Sequence, residues 1–205
     1  MAQSHLDKIY DVEGPKALRE FYDNWADSYD GDLEDQEYVT PSRVAAALAD
    51  FVPEADRDQP VLDFGCGTGL SGEALSKAGF TQLHGADVSE GMLEKAREKG
   101  VYAQLLRLPG GALDPEIIGR YRLVTAAGAI SAGAAPAETL PQIVDALPAG
   151  GLLVVSYNGH TLEDEAYMAA LTRVLTDGAT LESAQDGDHL PGIGLKSRVM
   201  VLRKT

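Results

Sequence analysis

The stretch Val61-Leu62-Asp63-Phe64-Gly65-Cys66-Gly67-Thr68-Gly69 decides the fold, because a short apolar run passes through three alternate glycines into a helical pattern that begins near Ser71. Glycines at this spacing let the backbone turn tightly and let a ligand approach with no side chain in between. Taken alone, such a triplet is equally consistent with an ordinary flexible turn. Its context favours the ligand-binding reading. The triplet follows a predicted strand, precedes a predicted helix and has an acid two residues before its first glycine; Gly85-Ala86-Asp87-Val88 then closes the next apolar run. An acid ending a second strand is placed to accept hydrogen bonds from both ribose hydroxyls of an adenosine ligand. The alternative is that Asp87 caps the following helix, although Ser89 already suits that position.

The third glycine separates the nucleotide classes. A dinucleotide fingerprint needs it five residues after the first, so that the helix packs closely while its N-terminus receives a pyrophosphate. Here that position is Leu70, and Gly69 comes one residue too early. No Gly-Lys-Ser/Thr element is present either, which removes a nucleoside-triphosphate loop. A ligand without a pyrophosphate fits best, and a nicotinamide-dependent oxidoreductase is the rival that the early glycine disfavours.

Outward from this loop, Val61–Phe64, Leu83–Val88, Val101–Leu106, Leu123–Ala127 and Leu152–Tyr157 are predicted strands, apolar on both faces as a covered parallel sheet requires. Amphipathic helices are expected over Ser71–Ala78, Glu90–Lys99 and Ala137–Leu147, each stopped at or near Gly79, Gly100 or Gly150. Strict alternation implies right-handed crossovers and a Rossmann-like, doubly wound α/β sheet. A further helix over Leu162–Leu175 leads to the runs Leu181–Ala184 and Ser197–Leu202. The join Asp186–Gly194 is too short for a crossover helix, so these two strands should pair antiparallel in a mostly parallel, seven-stranded sheet. Upstream, Pro15 suits a first helical position and Leu18, Phe21, Tyr22, Trp25 and Tyr29 form one helical stripe that ends at Tyr29. A second helix from Thr40 or Ser42 carries Val44, Leu48, Phe51 and Val52 and stops at Pro53. One domain is expected over 1–205, with a helical cap at 1–53 and the Rossmann-like core at 54–205.

Val61 to Gly69 resembles motif I of the class I S-adenosylmethionine-dependent methyltransferases, and Gly85-Ala86-Asp87-Val88-Ser89-Glu90-Gly91-Met92-Leu93 resembles the acidic-loop motif that follows it. Leu147-Pro148-Ala149-Gly150-Gly151 is similar to the turn before that family's fifth strand, and Ser197–Leu202 to its closing antiparallel strand. Tyr22–Asp30 and Ser156–Thr161 bring the chain close to the methyltransferase-like proteins named after the Williams-Beuren syndrome region. The resemblance implies S-adenosylmethionine as cofactor. Gly65, Cys66 and Gly67 would then border its methionine part, Asp63 would help hold its ammonium, Asp87 would grip the ribose and Val88 would pack on the adenine. Counting back from Leu108-Pro109, Gln104 falls where the family commonly has an acid for the adenine amino group, and Leu105 would offer main chain to the ring. Ala127 and Gly128 fall where the family's backbone nears the methionine end. The family's Phe-Asp before the fourth strand is here Tyr121-Arg122, a change that bears on packing.

Methyl transfer from a sulfonium is an in-line displacement on a carbon activated by positive charge, so alignment and exclusion of water can suffice without a strong base. No catalytic residue is singled out on this reading. Tyr29 is expected to wall the cofactor, since aromatic faces attract a sulfonium. Tyr22 and Trp25 could line the acceptor site or could be ordinary core. Asn158 and His160, just beyond the fifth strand's carboxyl end, also stand where ligands bind in open α/β sheets. His160 there could deprotonate an acceptor, or be only a loop residue.

Composition narrows the partners. A net charge of −15 over 205 residues speaks against nucleic acid and anionic membrane, and favours a small neutral or cationic acceptor. The longest stretch without a charge, Leu123–Ala137, is shorter than the roughly 20 apolar residues of a spanning helix. One cysteine, Cys66, forms no intrachain disulfide, and no Cys/His cluster has zinc-ligand spacing. The stretch Met1–Gly14 lacks the marks of an export signal, so a cytoplasmic enzyme without a metal is expected. A cofactor-binding protein without transferase activity is the other reading. A nucleic-acid methyltransferase is disfavoured further by Ala126-Ala127-Gly128-Ala129, which stands where an Asn/Asp-Pro-Pro-Tyr type element would be.

Overall fold

The computed structural model describes residues 5–12, 14–108 and 114–205. Pro109, used above to place Gln104, lies outside them. The chain opens with a helical turn, α1 (His5–Lys8), a 3-10 turn over Ile9–Asp11, and the long helix α2 (Pro15–Glu34). Pro15 starts α2 because its fixed φ is already helical and its missing N–H is one that the first turn leaves unbonded anyway. The helix does not stop at Tyr29. It runs five residues further to Glu34, because Gly31 is tolerated within it and its true end is the turn that follows Asp35. Next, α3 (Thr40–Phe51) starts with Pro41 in its first turn and buries Val44, Ala45 and Leu48. Arg57 satisfies the end of α3, donating to the Val52 and Ala49 carbonyls at 3.2 and 3.0 Å, and its third arm reaches Ala78 at 2.9 Å.

The core alternates as β1 (Val61–Phe64), α4 (Leu70–Lys77), β2 (Leu83–Asp87), α5 (Glu90–Lys99), β3 (Gln104–Arg107), α6 (Pro115–Ile118), β4 (Leu123–Ala126), α7 (Thr139–Ala146) and β5 (Leu152–Asn158). It finishes with α8 (Gly159–Glu163), α9 (Glu165–Asp177), β6 (Ala179–Leu190) and β7 (Leu195–Lys204). The seven strands lie in the order β3-β2-β1-β4-β5-β7-β6, and β7 alone runs against its two neighbours. One face of the sheet is sealed by α3 and α4, through Val44, Leu48 and Leu75 on Val61, Leu152 and Val154. On the other face Ile118, Ile143, Leu171 and Val174 pack on Leu62, Leu153 and Val155. The alternation Leu152/Val154 against Leu153/Val155 is the two-residue period of a strand covered on both sides.

Three further elements differ from the expectation. The helix expected over Leu162–Leu175 is two helices, because the Asp164 side chain accepts from the Ala166 N–H and caps α9 afresh. Strand β6 extends through the expected connector to Leu190, leaving only the turn over Pro191–Gly194. Strand β3 begins at Gln104, three residues late, because Tyr102 leaves the strand path to lay its ring over Gly72 and give its hydroxyl to Asp63 at 2.6 Å.

This last contact makes Gly72 an exception to helix propensity. Alanine normally stabilises a helix interior by about 1 kcal/mol over glycine. A Cβ at Gly72 would stand 2.3 Å from Tyr102 Cζ. Gly72→Ala should therefore destabilise the protein by about 1–3 kcal/mol in urea unfolding, the usual range for an overpacked core. A variant as stable as the parent would show that Tyr102 moves freely.

Candidate functional site

Strands β1 and β2 pair in parallel with Phe64 beside Ala86, so the glycine loop and Asp87 emerge at the same level of the sheet. The N–H groups of Gly65 and Cys66 both donate to the Ala86 carbonyl, at 2.8 and 3.1 Å. Gly65 has φ +67°, and a Cβ there would lie 2.4 Å from that of Ala129, so a side chain is excluded twice over. Gly67 has φ +53°, and a Cβ on it would meet nothing within 4 Å, so its missing side chain leaves a face of the loop open.

Asp87 joins the two motifs. One carboxylate oxygen accepts from the Gly67 N–H and the other from the Ser89 N–H, both at 2.9 Å. Burial pushes its pKa up, and these main-chain donors pull it back. Ser89 fills the N-cap of α5, accepting from the Met92 N–H at 3.1 Å, so Asp87 is not spent as that cap. Val88, half-buried, leans on the hydrophobic cluster that α7 and α9 cover.

A cleft opens beside this junction, and among its walls are Tyr29, Gly65, Cys66, Gly67 and Ala127. Sequence reasoning named those five and missed Tyr38, Pro41, Thr68, Leu70 and Ser71, which line it as well. Tyr38 lies between α2 and α3 in no periodic pattern, and only the fold places its hydroxyl 2.8 Å from where a Cβ on Gly128 would be. Burial raises the pKa of Tyr29 and Tyr38, and Asp87 adds to it for Tyr29, so both phenols stay protonated and can donate. Burial likewise pushes the Cys66 thiol up, which keeps it protonated. Gly128, two residues past the end of β4, has φ +68°, and its N–H donates to Ser156 Oγ at 2.8 Å. A roomier cavity of about 140 Å³ lies at the amino ends of β4 and β5, beside Phe51, Arg122 and Arg203. It contains no residue of either motif.

Several expected site residues are placed elsewhere. Asp63 is fully buried and accepts from the hydroxyls of Ser71, Tyr102 and Thr125 at 2.6, 2.6 and 3.0 Å, so its carboxylate is enclosed by the core instead of being offered to an ammonium. Gln104 pairs with His84 at the start of β3, and Leu105 with Gly85; the residue beside Asp87 is Arg107. Both expected adenine contacts thus stand three and two residues short of Arg107, the β3 residue that pairs with Asp87 at the carboxyl edge. Trp25, 2% exposed, is packed between His5, Phe21, Tyr22 and Tyr29 and donates to Asp32 at 2.6 Å, which makes it core of the cap and not an acceptor wall. Tyr22 donates to the Gly133 carbonyl at 2.8 Å, over the loop that follows β4. Asn158 caps α8 and donates to Tyr10 Oη at 3.2 Å, and His160 packs on the same Tyr10 ring, so these two meet the N-terminal turn rather than the glycine loop. No helix among the described residues is long and apolar enough to cross a membrane, and none of their side chains group as a metal site.

A family model described as a methyltransferase domain matches residues 36–191. Among curated proteins, the chain is 37% identical over 158 residues to human methyltransferase-like protein 27, a match covering 75% of this chain and 64% of that protein. It is also 38% identical over 84 residues to the 18S rRNA (guanine-N(7))-methyltransferase RID2 of Arabidopsis thaliana, covering 37% of this chain and 29% of that one. The chain therefore spans less than two thirds of either relative. Among solved structures, a TehB-like SAM-dependent methyltransferase from Corynebacterium glutamicum superposes with a TM-score of 0.59 at 22% identity, covering 88% of this chain and 98% of that one, and so shares its fold.

The Asp63 environment yields a pH prediction. Burial outweighs its three hydroxyl donors and holds the carboxyl above the ordinary 3.8. A raised folded-state pKa favours the folded protein while the group is protonated, and that contribution is lost as pH rises from about 4 through the raised value. Comparing urea stability of the parent with Asp63→Asn, which cannot titrate, should show the parent's relative stability falling as pH rises above about 4. A difference independent of pH would mean that the carboxyl ionises as freely as in the unfolded chain.

Proposed function

The chain belongs to the methyltransferase-domain family, and from that premise we propose that it transfers a methyl group from S-adenosylmethionine to a small-molecule acceptor. The observation that carries the reading is Asp87, held by the amides of Ser89 and of Gly67, the latter a residue that lines the glycine-bordered cleft. A half-buried carboxylate with spare lone pairs suits a ribose diol, and a loop face with no side chain suits the body of the ligand. When bound, S-adenosylmethionine supplies a methyl carbon already activated by its sulfonium.

The chain's own part is binding, alignment and exclusion of water. Asp87 would accept from the ribose hydroxyls, Val88 would pack on the adenine, and Gly65, Gly67, Ala127 and Gly128 would leave main chain against the methionine portion. Tyr29 and Tyr38, protonated and facing the cleft, would donate hydrogen bonds or shield the sulfonium with their rings. Residues 1–53 act in this scheme as a cap on the core of 54–205. The acceptor is read as small and neutral or cationic, because the net charge is −15 and much of the cationic surface is already paired, as in Lys95–Asp27 and Lys99–Asp30. The similarity to the 18S rRNA (guanine-N(7))-methyltransferase RID2 rests on 84 residues. A lone, buried cysteine is consistent with work in a reducing, cytoplasmic setting.

Calorimetric titration with S-adenosylmethionine, S-adenosylhomocysteine and NAD tests this directly. The parent should bind the first two and not NAD, and Asp87→Ala should weaken binding by about 100-fold, as expected for losing two hydrogen bonds to a charged acceptor. Binding of NAD alone would contradict the methyltransferase reading and restore the oxidoreductase one.

A further inference from the structure

Asp23, Asp27 and Asp30 recur at helical spacing along α2, the helix that packs on α5, and each carboxylate meets a different rung. Asp23 accepts from the Ser89 hydroxyl at 2.5 Å and from the Gly91 N–H at 3.2 Å. Asp27 pairs with Lys95 Nζ at 2.8 Å. Asp30 accepts from the Thr68 hydroxyl at 2.5 Å and pairs with Lys99 Nζ at 2.8 Å, and the same Lys99 is held by Glu73 of α4 at 3.0 Å. The middle rung is solvated, with the Asp27 side chain 92% exposed, and an ion pair of that kind contributes little.

The outer rungs differ from the middle one in where they end. Thr68 follows Gly67 in the glycine loop, and Ser89 stands two residues past Asp87. Because Asp87 itself joins the Gly67 and Ser89 amides, the hydrogen bonds close into a circuit that runs from α2 to Ser89, Asp87, the glycine loop, Thr68 and back to α2. The side of this circuit formed by α2 is a rigid helix rising about 10 Å between its two carboxylates. Ser89 Oγ is used twice, donating to Asp23 and accepting from Met92, so Asp23 also orients the cap of α5.

We propose that Asp23 and Asp30 are positioning residues that set the separation between the glycine loop and the end of β2 before the cofactor arrives. The inference rests on the S-adenosylmethionine reading above. Neither carboxylate is placed against the cofactor; each acts through Ser89 or Thr68. Glycine has more backbone freedom to lose than any other residue, so ordering a loop that holds three of them in advance lowers the cost of binding.

The test is calorimetric titration of S-adenosylhomocysteine into the parent and into Asp23→Ala, Asp30→Ala, Asp30→Asn, Thr68→Val and the control Asp27→Ala, with a melting curve for each. Asp30→Ala, Thr68→Val and Asp23→Ala should each weaken binding about tenfold. Asp30→Asn, which keeps an oxygen for the Thr68 hydroxyl, should recover most of the loss, and Asp27→Ala should bind like the parent although it too removes an ion pair. The Asp30→Ala/Thr68→Val double variant should be no weaker than either single one, a coupling that general loosening of the fold would not produce. If Asp30→Ala does not fold, Thr68→Val and Asp30→Asn carry the comparison. Parent-like affinity in Asp23→Ala, Asp30→Ala and Thr68→Val would overturn the proposal while leaving the cofactor reading intact. Failure of the parent itself to bind would instead overturn that reading.

Discussion

Two main-chain amides, those of Gly67 and Ser89, converge on the carboxylate of Asp87, and the arrangement of the carboxyl edge follows from that meeting. It is possible only because β1 and β2 end level in a parallel pair, and because the glycine loop can turn back toward its neighbour with positive φ at Gly65 and Gly67. A side chain at Gly65 would collide with Ala129, and one at Gly67 would strain the left-handed backbone that aims its N–H at Asp87. The cap obeys the same constraint, since α2 must lie where its carboxylates reach Thr68 and Ser89.

The core beneath this edge is held by apolar burial on two faces, with one polar exception. Asp63 stands within β1, where its neighbours Leu62 and Phe64 are core, and three hydroxyls from Ser71, Tyr102 and Thr125 enclose it. A buried carboxyl is tolerated only with such partners, because an unpaired one would lose its solvation without recompense. Its partners come from α4, from the segment before β3 and from β4, so one side chain ties together parts of the chain that are far apart in sequence. Tyr102 carries the structural consequence: in reaching Asp63 it leaves the strand path and delays β3.

The fold was legible where signals were local and repeated. Apolar runs of four to six residues alternating with amphipathic stretches announced the doubly wound sheet, and the short join before β7 announced its antiparallel closure. The glycine triplet and Asp87 could be read because their spacing has a backbone reason. What could not be read depended on partners distant in sequence. The sequence places Gln104 and Leu105 too near the carboxyl edge because the register of β3 on β2 leaves no local mark. For Trp25 the sequence leaves pocket wall and core both open, because a helical aromatic stripe does not say which of its members face inward. Tyr38 carried no pattern at all, and it reaches the cleft only through the packing of α2 and α3 around it. The same holds for Asp63, whose enclosure by three hydroxyls is invisible until α4 and β4 are in place.

The central claim is that one ligand contacts the glycine loop and the end of β2 together. The most direct test is a nitrogen–proton correlation spectrum of the labelled protein, titrated with S-adenosylhomocysteine. The account predicts that the amides of Gly65, Gly67, Asp87, Val88, Ala127 and Gly128 shift together with a single affinity, while those of Gln59, Leu123 and Gly150 around the opposite cavity stay still. Shifts gathered at the opposite cavity, with Gly67 and Asp87 unmoved, would contradict it.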